Sequence, residues 1–294
     1  RLSEWNGMAM AATSIAPGPS FEVARPLDWF QLRALLWEIP DRPNSWEEAA
    51  EAVNARCPLS ARVSGETLRG VRELLSKTYP QTEGTRIWAQ ILYSSVHQVF
   101  SVKPIFMNLG YLGEIEGLDL DQEDQQLFPF IALYRVTLSG VDCTGRDVVD
   151  VGCGAGGGCR HIWKYLSPRS VTGVDLVEAN IAECLRGPTE AGLAFVQGDA
   201  EALPLESQSA DVILSVESSH SYHSMPSFLR EIHRVLRPGG VFAFTDHRPM
   251  DEEWGERRTM AALTKDLSES PLAIEKVWEI TDGVARCSEA IADF

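Results

Sequence analysis

The sequence predicts an α/β protein: an open, doubly wound, mostly parallel sheet with helices on both faces, preceded by a helical region. Three observations predict it. From about residue 126 onward, apolar runs of strand length alternate with amphipathic stretches of helix length. A glycine-rich turn, Gly152 to Gly158, joins the first of these strands to the first of these helices. Upstream of residue 126 the apolar positions are spaced mainly for helices. This divides the chain into residues 1–125, a tail and a helical region suited to cover and shape a binding crevice, and residues 126–294, the sheet-bearing core.

In order along the chain, residues 1–20 are small, polar and Pro/Gly-containing and read as a tail or linker. Trp29, Leu32, Leu36 and Trp37 lie at helical spacing. Ser45 followed three residues later by Glu48 is a capping-box pattern opening a second helix. Residues 64–79 and 86–100 supply two further amphipathic helices, and 107–126 an acidic loop with aromatics before it. A helix is expected over 127–138. Strands are expected at 147–152, 171–175, 194–197, 211–216, 240–246 and 272–280, and helices at 157–166, 178–186 and 225–236. Pro238-Gly239-Gly240 ends a helix and turns the chain into a strand, and the last residues read as a helix.

The composition excludes some functions. A formal net charge of −16 leaves no basic surplus for a nucleic-acid backbone or an anionic membrane surface. A small basic patch docking an acidic carrier protein is still compatible with it. Six cysteines, with no CxxC pair, read as reduced thiols of a cytoplasmic protein. There is no apolar run of about 18 residues and no signal-peptide pattern.

The glycine loop satisfies Gly152-x-Gly154-x-x-Gly157, which taken alone is a weak dinucleotide signal. Its company points elsewhere. Asp150 stands two residues before the first glycine, where its charge opposes a pyrophosphate and suits a cationic or amine end. Asp175 ends the second strand, at the position whose carboxylate bridges ribose hydroxyls. Asp199 and Ala200 follow the third strand, where an adenine edge can lie.

With these residues in place, the segments "DVVDVGCGAGGG", "VTGVDL", "VQGDAEALPL", "ADVILSVESS" and "EIHRVLRPGGVFAFTD" resemble, in order and spacing, the class I S-adenosylmethionine-dependent methyltransferases, over about residues 147–246. The resemblance implies a Rossmann-like core and S-adenosylmethionine as cofactor, leaving S-adenosylhomocysteine as product. It implies that the Gly152, Gly154 and Gly156 backbone approaches the cofactor's amino-acid part, that Asp175 binds its ribose, and that Asp199 and Ala200 meet the adenine. Cys153, Leu176, Val216 and Glu217, adjacent to these, are expected to line the same site.

A hydroxyl is a poor nucleophile near neutral pH, so methyl transfer to oxygen commonly uses a general base. "VESSHSYH", after the fourth strand, places Glu217, His220 and His223 within seven residues at the crevice edge. His220 is the expected base, with Glu217 the first candidate to hold its tautomer; Asp246, ending the fifth strand, could converge there. No metal is expected, since His-x-x-His on a loop is not a tight metal signature. "FMNLGYL" together with the "VESSHSYHSM" segment resembles bacterial natural-product O-methyltransferases, free-standing or embedded in polyketide synthases, that act on polyketide or polyketide-like lipid hydroxyls. That resemblance implies a substrate tethered to an acyl carrier protein, synthase domains as partners, and the Asn108–Tyr111 segment packing over the cofactor, with Tyr111 in contact with it. The non-Met start is compatible with an excised domain. The family sheet usually ends in a seventh, antiparallel strand, for which little chain remains after residue 280. A C-methyltransferase and a non-catalytic cofactor-binding domain share the same cofactor motifs; a nicotinamide oxidoreductase is the more distant alternative.

Overall fold

The computed structural model describes residues 105–115, 118–188, 190–248 and 259–292, together with positions 45, 47, 48, 51 and 69. The first tail and most of the helices expected before residue 105 lie outside these residues. Where the described positions touch them, they agree: Glu47, Glu48, Glu51 and Arg69 are helical, and the Glu48 N–H donates to Ser45 Oγ at 3.2 Å, which is the expected cap.

Among the described residues the sheet has five strands, β1 Asp147–Val151, β2 Ser170–Asp175, β3 Leu193–Gln197, β4 Ala210–Val216 and β5 Leu236–Thr245. Their order is β3-β2-β1-β4-β5 and every pairing is parallel. The α-helices described in full from residue 105 onward are α1 Phe128–Thr137, α2 Gly157–Tyr165, α3 Glu178–Cys184, α4 Met225–Val235, α5 Met260–Glu269 and α6 Thr281–Ala292.

The central strands read as nearly continuous apolar runs because both of their faces are covered. Val148 of β1 and Val212 and Leu214 of β4 pack with Ile131, Leu133 and Ile162 of α1 and α2. Val149 and Val151 of β1 and Ile213 of β4 point the other way, onto Phe228, Leu229 and Ile232 of α4. The two-residue alternation of strand side chains thus feeds two cores at once. α4 opens on Ser224, whose side chain accepts the Ser227 N–H, with a proline in the first turn.

The structure departs from the sequence reading at three places. Residues 272–280 form no strand; the segment is mostly exposed, with Ile280 buried at its end. Its apolar residues had suggested alternation, but none of the described strands pairs with it. β5 begins at Leu236, directly on the end of α4, instead of at residue 240. Ala210 pairs with Leu236 and Val212 with Val241, so the Pro238-Gly239-Gly240 stretch bulges out of the ladder, with Gly239 at φ +79°. Proline has no N–H for the ladder and glycine takes the positive φ, so a bulge forms there without loss. α5 had no expectation attached to it.

The chain builds outward from β1 to β2 and β3, then returns to place β4 on β1's other side. The reversal at β1/β4 is a topological switch point, where a crevice opens beyond the carboxyl ends of the strands.

One buried group on α2 is a stability liability. His161 is 3% exposed and neither ring nitrogen has a hydrogen-bond partner; its ring lies 5.1 Å from that of Tyr165. Burial lowers its pKa to about 4. The unfolded chain takes up a proton that the folded one lacks, so stability falls as pH drops from about 6.5 toward 4. His161→Leu is expected to stabilise the protein by about 1 kcal/mol at pH 7 and by more at pH 5. Thermal unfolding at the two pH values measures both.

Candidate functional site

The loop after β1 needs glycine on steric grounds. Gly152, Gly154 and Gly156 have φ of +78°, +55° and +85°, a region that side-chain-bearing residues rarely enter. A Cβ on Gly152 would collide with the Ser218 side chain, and one on Gly154 would come 3.3 Å from Met107 Sδ. The loop therefore runs with its backbone bare and delivers the chain into the amino end of α2.

A crevice open to solvent lies beside it, walled by the ends of four strands, the place where open parallel sheets bind small molecules. Gly152, Cys153 and Gly154 form its floor, Asp175 and Leu176 its second-strand wall, and Asp199 and Ala200 its third. Val216 and Glu217 close the fourth side. The four strand ends thus converge as the sequence implied. Asn108, from the segment that the resemblance places over the cofactor, and Tyr222, from the segment after β4, also line it, while other wall residues escaped the sequence reading: Phe106 and Met107 just upstream, Tyr134 from α1, and Ser218 after β4. Their motif neighbours signalled the region, but nothing local marked these side chains.

Three expected cofactor residues lie elsewhere. Gly156 is not on the crevice wall; it faces down, where a Cβ would meet Cys184 Sγ and Phe195 at 2.9 Å. Tyr111 is buried, with its ring against Gly113 and Gly283, and is absent from the wall. It locks the upstream segment to α6 as a core aromatic. Asp150 is fully buried one layer below the wall. It accepts hydrogen bonds on Oδ2 from Tyr134 Oη at 3.2 Å and from Cys159 Sγ at 3.4 Å.

The two remaining strand-end carboxylates differ in their support. Asp175 accepts the Gly154 N–H at 2.9 Å on Oδ2, and the Val177 N–H at 2.9 Å and Asn180 Nδ2 at 3.0 Å on Oδ1. Burial raises its pKa to about 6 against these donors. Asp199 instead accepts the Glu201 N–H at 2.9 Å and sits at the rim.

The candidate base has a different partner from the one first considered. His220 Nδ1 lies 2.7 Å from Asp246 Oδ1, while Glu217 Oε2 accepts the Leu109 N–H at 2.5 Å. Asp246 also accepts from Ser219 Oγ and from the His247 N–H, and Arg248 Nη2 lies 3.3 Å from its Oδ2. Burial alone would raise the Asp246 pKa, but His220 and Arg248 outweigh it and hold the carboxyl well below its usual range. Burial pushes His220 down to about 4, against the pull of Asp246. His220 and Asp246 are themselves off the crevice wall, although the wall residues Ser218 and Ser221 stand on either side of His220 in the chain. His223 enters through its backbone, whose N–H donates to Glu201 Oε1 at 2.8 Å.

His220, Asp246 and His247 bring one ligand atom each within 4.8 Å of one another. The Arg248 guanidinium already supplies a cation to that carboxylate, which disfavours a metal ion there. An organic cation fits the other side better. Asp150 Oδ1 is buried without a partner beneath the glycine floor, and the floor carries no side chain to fill the space above.

This arrangement has a pH signature. Burial raises the Asp150 pKa to about 7, against the bonds from Cys159 and Tyr134. A carboxyl whose folded pKa is raised contributes stability that is complete below about 4 and is lost as pH rises through about 7. Asp150→Asn is therefore expected to unfold at higher temperature than the parent at pH 8, with no such gain at pH 4.5. It is expected to bind S-adenosylhomocysteine at least about tenfold more weakly at pH 8, because a buried charge partner is gone. Calorimetry at the two pH values reads both effects.

Comparison with known proteins agrees with this site. A family model described as "Methyltransferase domain" matches residues 149–244. The chain is 37% identical over 200 residues to the phthiotriol/phenolphthiotriol dimycocerosates methyltransferase of Mycobacterium tuberculosis H37Rv, covering 68% of this chain and 72% of that protein. It is 43% identical over 162 residues to a probable phthiotriol/phenolphthiotriol dimycocerosates methyltransferase 2 of Mycobacterium ulcerans, covering 54% of this chain and 63% of that protein. It is 41% identical over 176 residues to the fatty-acid O-methyltransferase of Mycolicibacterium smegmatis, covering 59% of this chain and 64% of that one. The crystal structure of the [4+2]-cyclase SpnF superposes with a TM-score of 0.56 at 21% identity, over 73% of this chain and 82% of that chain, a likeness of fold. With 37% identity over 200 aligned residues that span 72% of a named methyltransferase, on a five-stranded parallel sheet with a bare glycine floor, this chain belongs to the class I S-adenosylmethionine-dependent methyltransferase family.

Proposed function

We propose that the protein transfers a methyl group from S-adenosylmethionine to a hydroxyl, a 3-hydroxyl or enol, of a polyketide-type lipid presented on an acyl carrier protein. The hydrogen bond between His220 Nδ1 and Asp246 Oδ1, at 2.7 Å beside the crevice, carries this reading. The names of the relatives support the acceptor class: one is a fatty-acid O-methyltransferase and others act in phthiotriol chemistry by their names.

When bound, the cofactor supplies an electrophilic methyl group on a sulfonium, and the protein must position the acceptor and take its proton. Asp175, at the end of β2, is suited to hold ribose hydroxyls, and Asp199 with Ala200 to receive the adenine edge. Asp150, with its one open oxygen, favours a positive charge above the glycine floor.

His220 then acts on the acceptor. With its pKa pushed down to about 4, it is neutral at physiological pH. The ionised Asp246 holds the proton on Nδ1, leaving the Nε2 lone pair to accept the acceptor's proton. As the hydroxyl gives up its proton, the positive charge forming on the ring lies against a carboxylate already in place. An enol, being more acidic than an alcohol, asks less of this base.

His220→Ala is expected to lower kcat by about 10²–10⁴ while the S-adenosylhomocysteine dissociation constant stays within about threefold. Asp246→Asn is expected to lower kcat less, with the same unchanged binding. With cofactor saturating, kcat of the parent enzyme should be level from about pH 5.5 to 8, because His220 loses its proton near pH 4. Full turnover in His220→Ala would remove His220 as the base; a limb near the ordinary histidine value that disappears in His220→Ala would keep the base and show that Asp246 offsets its burial. Carrier-bound 3-hydroxyacyl chains are expected to turn over faster than the same chains free in solution.

A further inference from the structure

Glu217 is buried at the carboxyl end of β4, lines the cofactor crevice, and is not used by the His220–Asp246 pair. It holds φ +49°, an uncommon conformation for a residue with a side chain. Its backbone N–H donates to Thr245 O at 2.7 Å, which fixes that turn to β5. Its side chain leaves the strand end and accepts the Leu109 N–H at 2.5 Å. Its other oxygen lies 3.8 Å from His247 Nδ1.

Leu109 belongs to a segment that crosses over the glycine floor. At one end the Ile105 carbonyl accepts the N–H of Gly157, the first residue of α2, at 3.1 Å. Between the two attachments Phe106, Met107 and Asn108 form crevice wall, and Met107 faces Gly154. At the other end Asn108 Nδ2 donates to Phe130 O at 3.2 Å and the Tyr111 N–H to Pro129 O at 2.8 Å. These bonds tie the segment to α1 and α2. The Glu217 bond ties it to the opposite lip, so one carboxylate joins the two sides of the crevice.

We propose that Glu217 is a positioning residue: its carboxylate latches the 105–111 strap across the crevice and thereby seats Met107 and Asn108 against the cofactor. The role rests on the crevice being the S-adenosylmethionine site. It belongs to the acceptor oxygen facing Leu109, not to the negative charge. A carboxylate that acted on the cofactor or on His247 by its charge would have the opposite requirement.

Two near-isosteric variants separate these roles. Glu217→Gln keeps the length and an acceptor oxygen and loses the charge. Glu217→Asp keeps the charge and is one methylene too short to reach Leu109. S-adenosylhomocysteine binding by calorimetry to the full chain is expected to stay within about threefold of the parent in Glu217→Gln and to weaken about tenfold in Glu217→Asp, as for loss of one hydrogen bond. On a Met107→Ala background, where the strap no longer presents its wall, the Glu217→Asp penalty should shrink below about threefold. Exchange of the Leu109 amide with deuterium should be slow in the parent and in Glu217→Gln, and fast in Glu217→Asp. The reverse order, with Asp binding well and Gln poorly, or an Asp penalty unchanged by Met107→Ala, would overturn the latch. Failure of the parent itself to bind S-adenosylhomocysteine would instead overturn the cofactor assignment.

Discussion

Four parallel strands that end at the same level impose one constraint on everything else. Their last peptide groups and side chains must share a single crevice at the β1/β4 reversal, with no partner strand beyond. This chain meets it with acids. Asp150 and Asp175 are buried there, and Asp246 closes the fifth strand; all three sit at 8% exposure or less. Each is stabilised differently. Asp246 has Arg248 and His220 against it, Asp175 has three N–H donors, and Asp150 has two weak donors and one open oxygen.

The contrast between these carboxylates divides the labour of the site. Burial wins at Asp150 and Asp175, whose pKa values rise to about 7 and about 6, and opposite charge wins at Asp246. A carboxyl held near neutrality without a counter-charge gains most from an incoming cation. A carboxyl ionised at all ordinary pH values is a fixed support for a neighbouring imidazole. In the proposed mechanism the methyl donor and the proton acceptor therefore meet two different electrostatic environments, the first at the crevice floor and the second beside its wall.

Much of this was legible in the sequence, because strand ends and glycine turns are written locally. The five strands, the bare loop, and Asp175 and Asp199 at their strand ends follow from apolar runs and turn residues. What failed needed contacts across the chain. Residues 272–280 have strand-like apolar content, but a strand also requires a free neighbour. Glu217 is nearer to His220 in sequence than Asp246 is, yet the positive φ at Glu217 sends its carboxylate to Leu109. Tyr111 and Gly156 sit in the right motifs and face the wrong way, and no periodicity reports direction within a loop. Met107 forms wall only because the strap crosses the glycine floor, a contact between segments some fifty residues apart.

The central claim is that this crevice delivers a methyl group to oxygen. The most direct test is to incubate the protein with S-adenosylmethionine carrying an isotopically labelled methyl and a carrier-bound 3-hydroxyacyl chain, then locate the label by fragmentation mass spectrometry. The account predicts a labelled methyl ether at the 3-oxygen. Label on the α-carbon, or a cofactor that binds with no label transferred to hydroxyacyl or 3-oxoacyl chains, would contradict it.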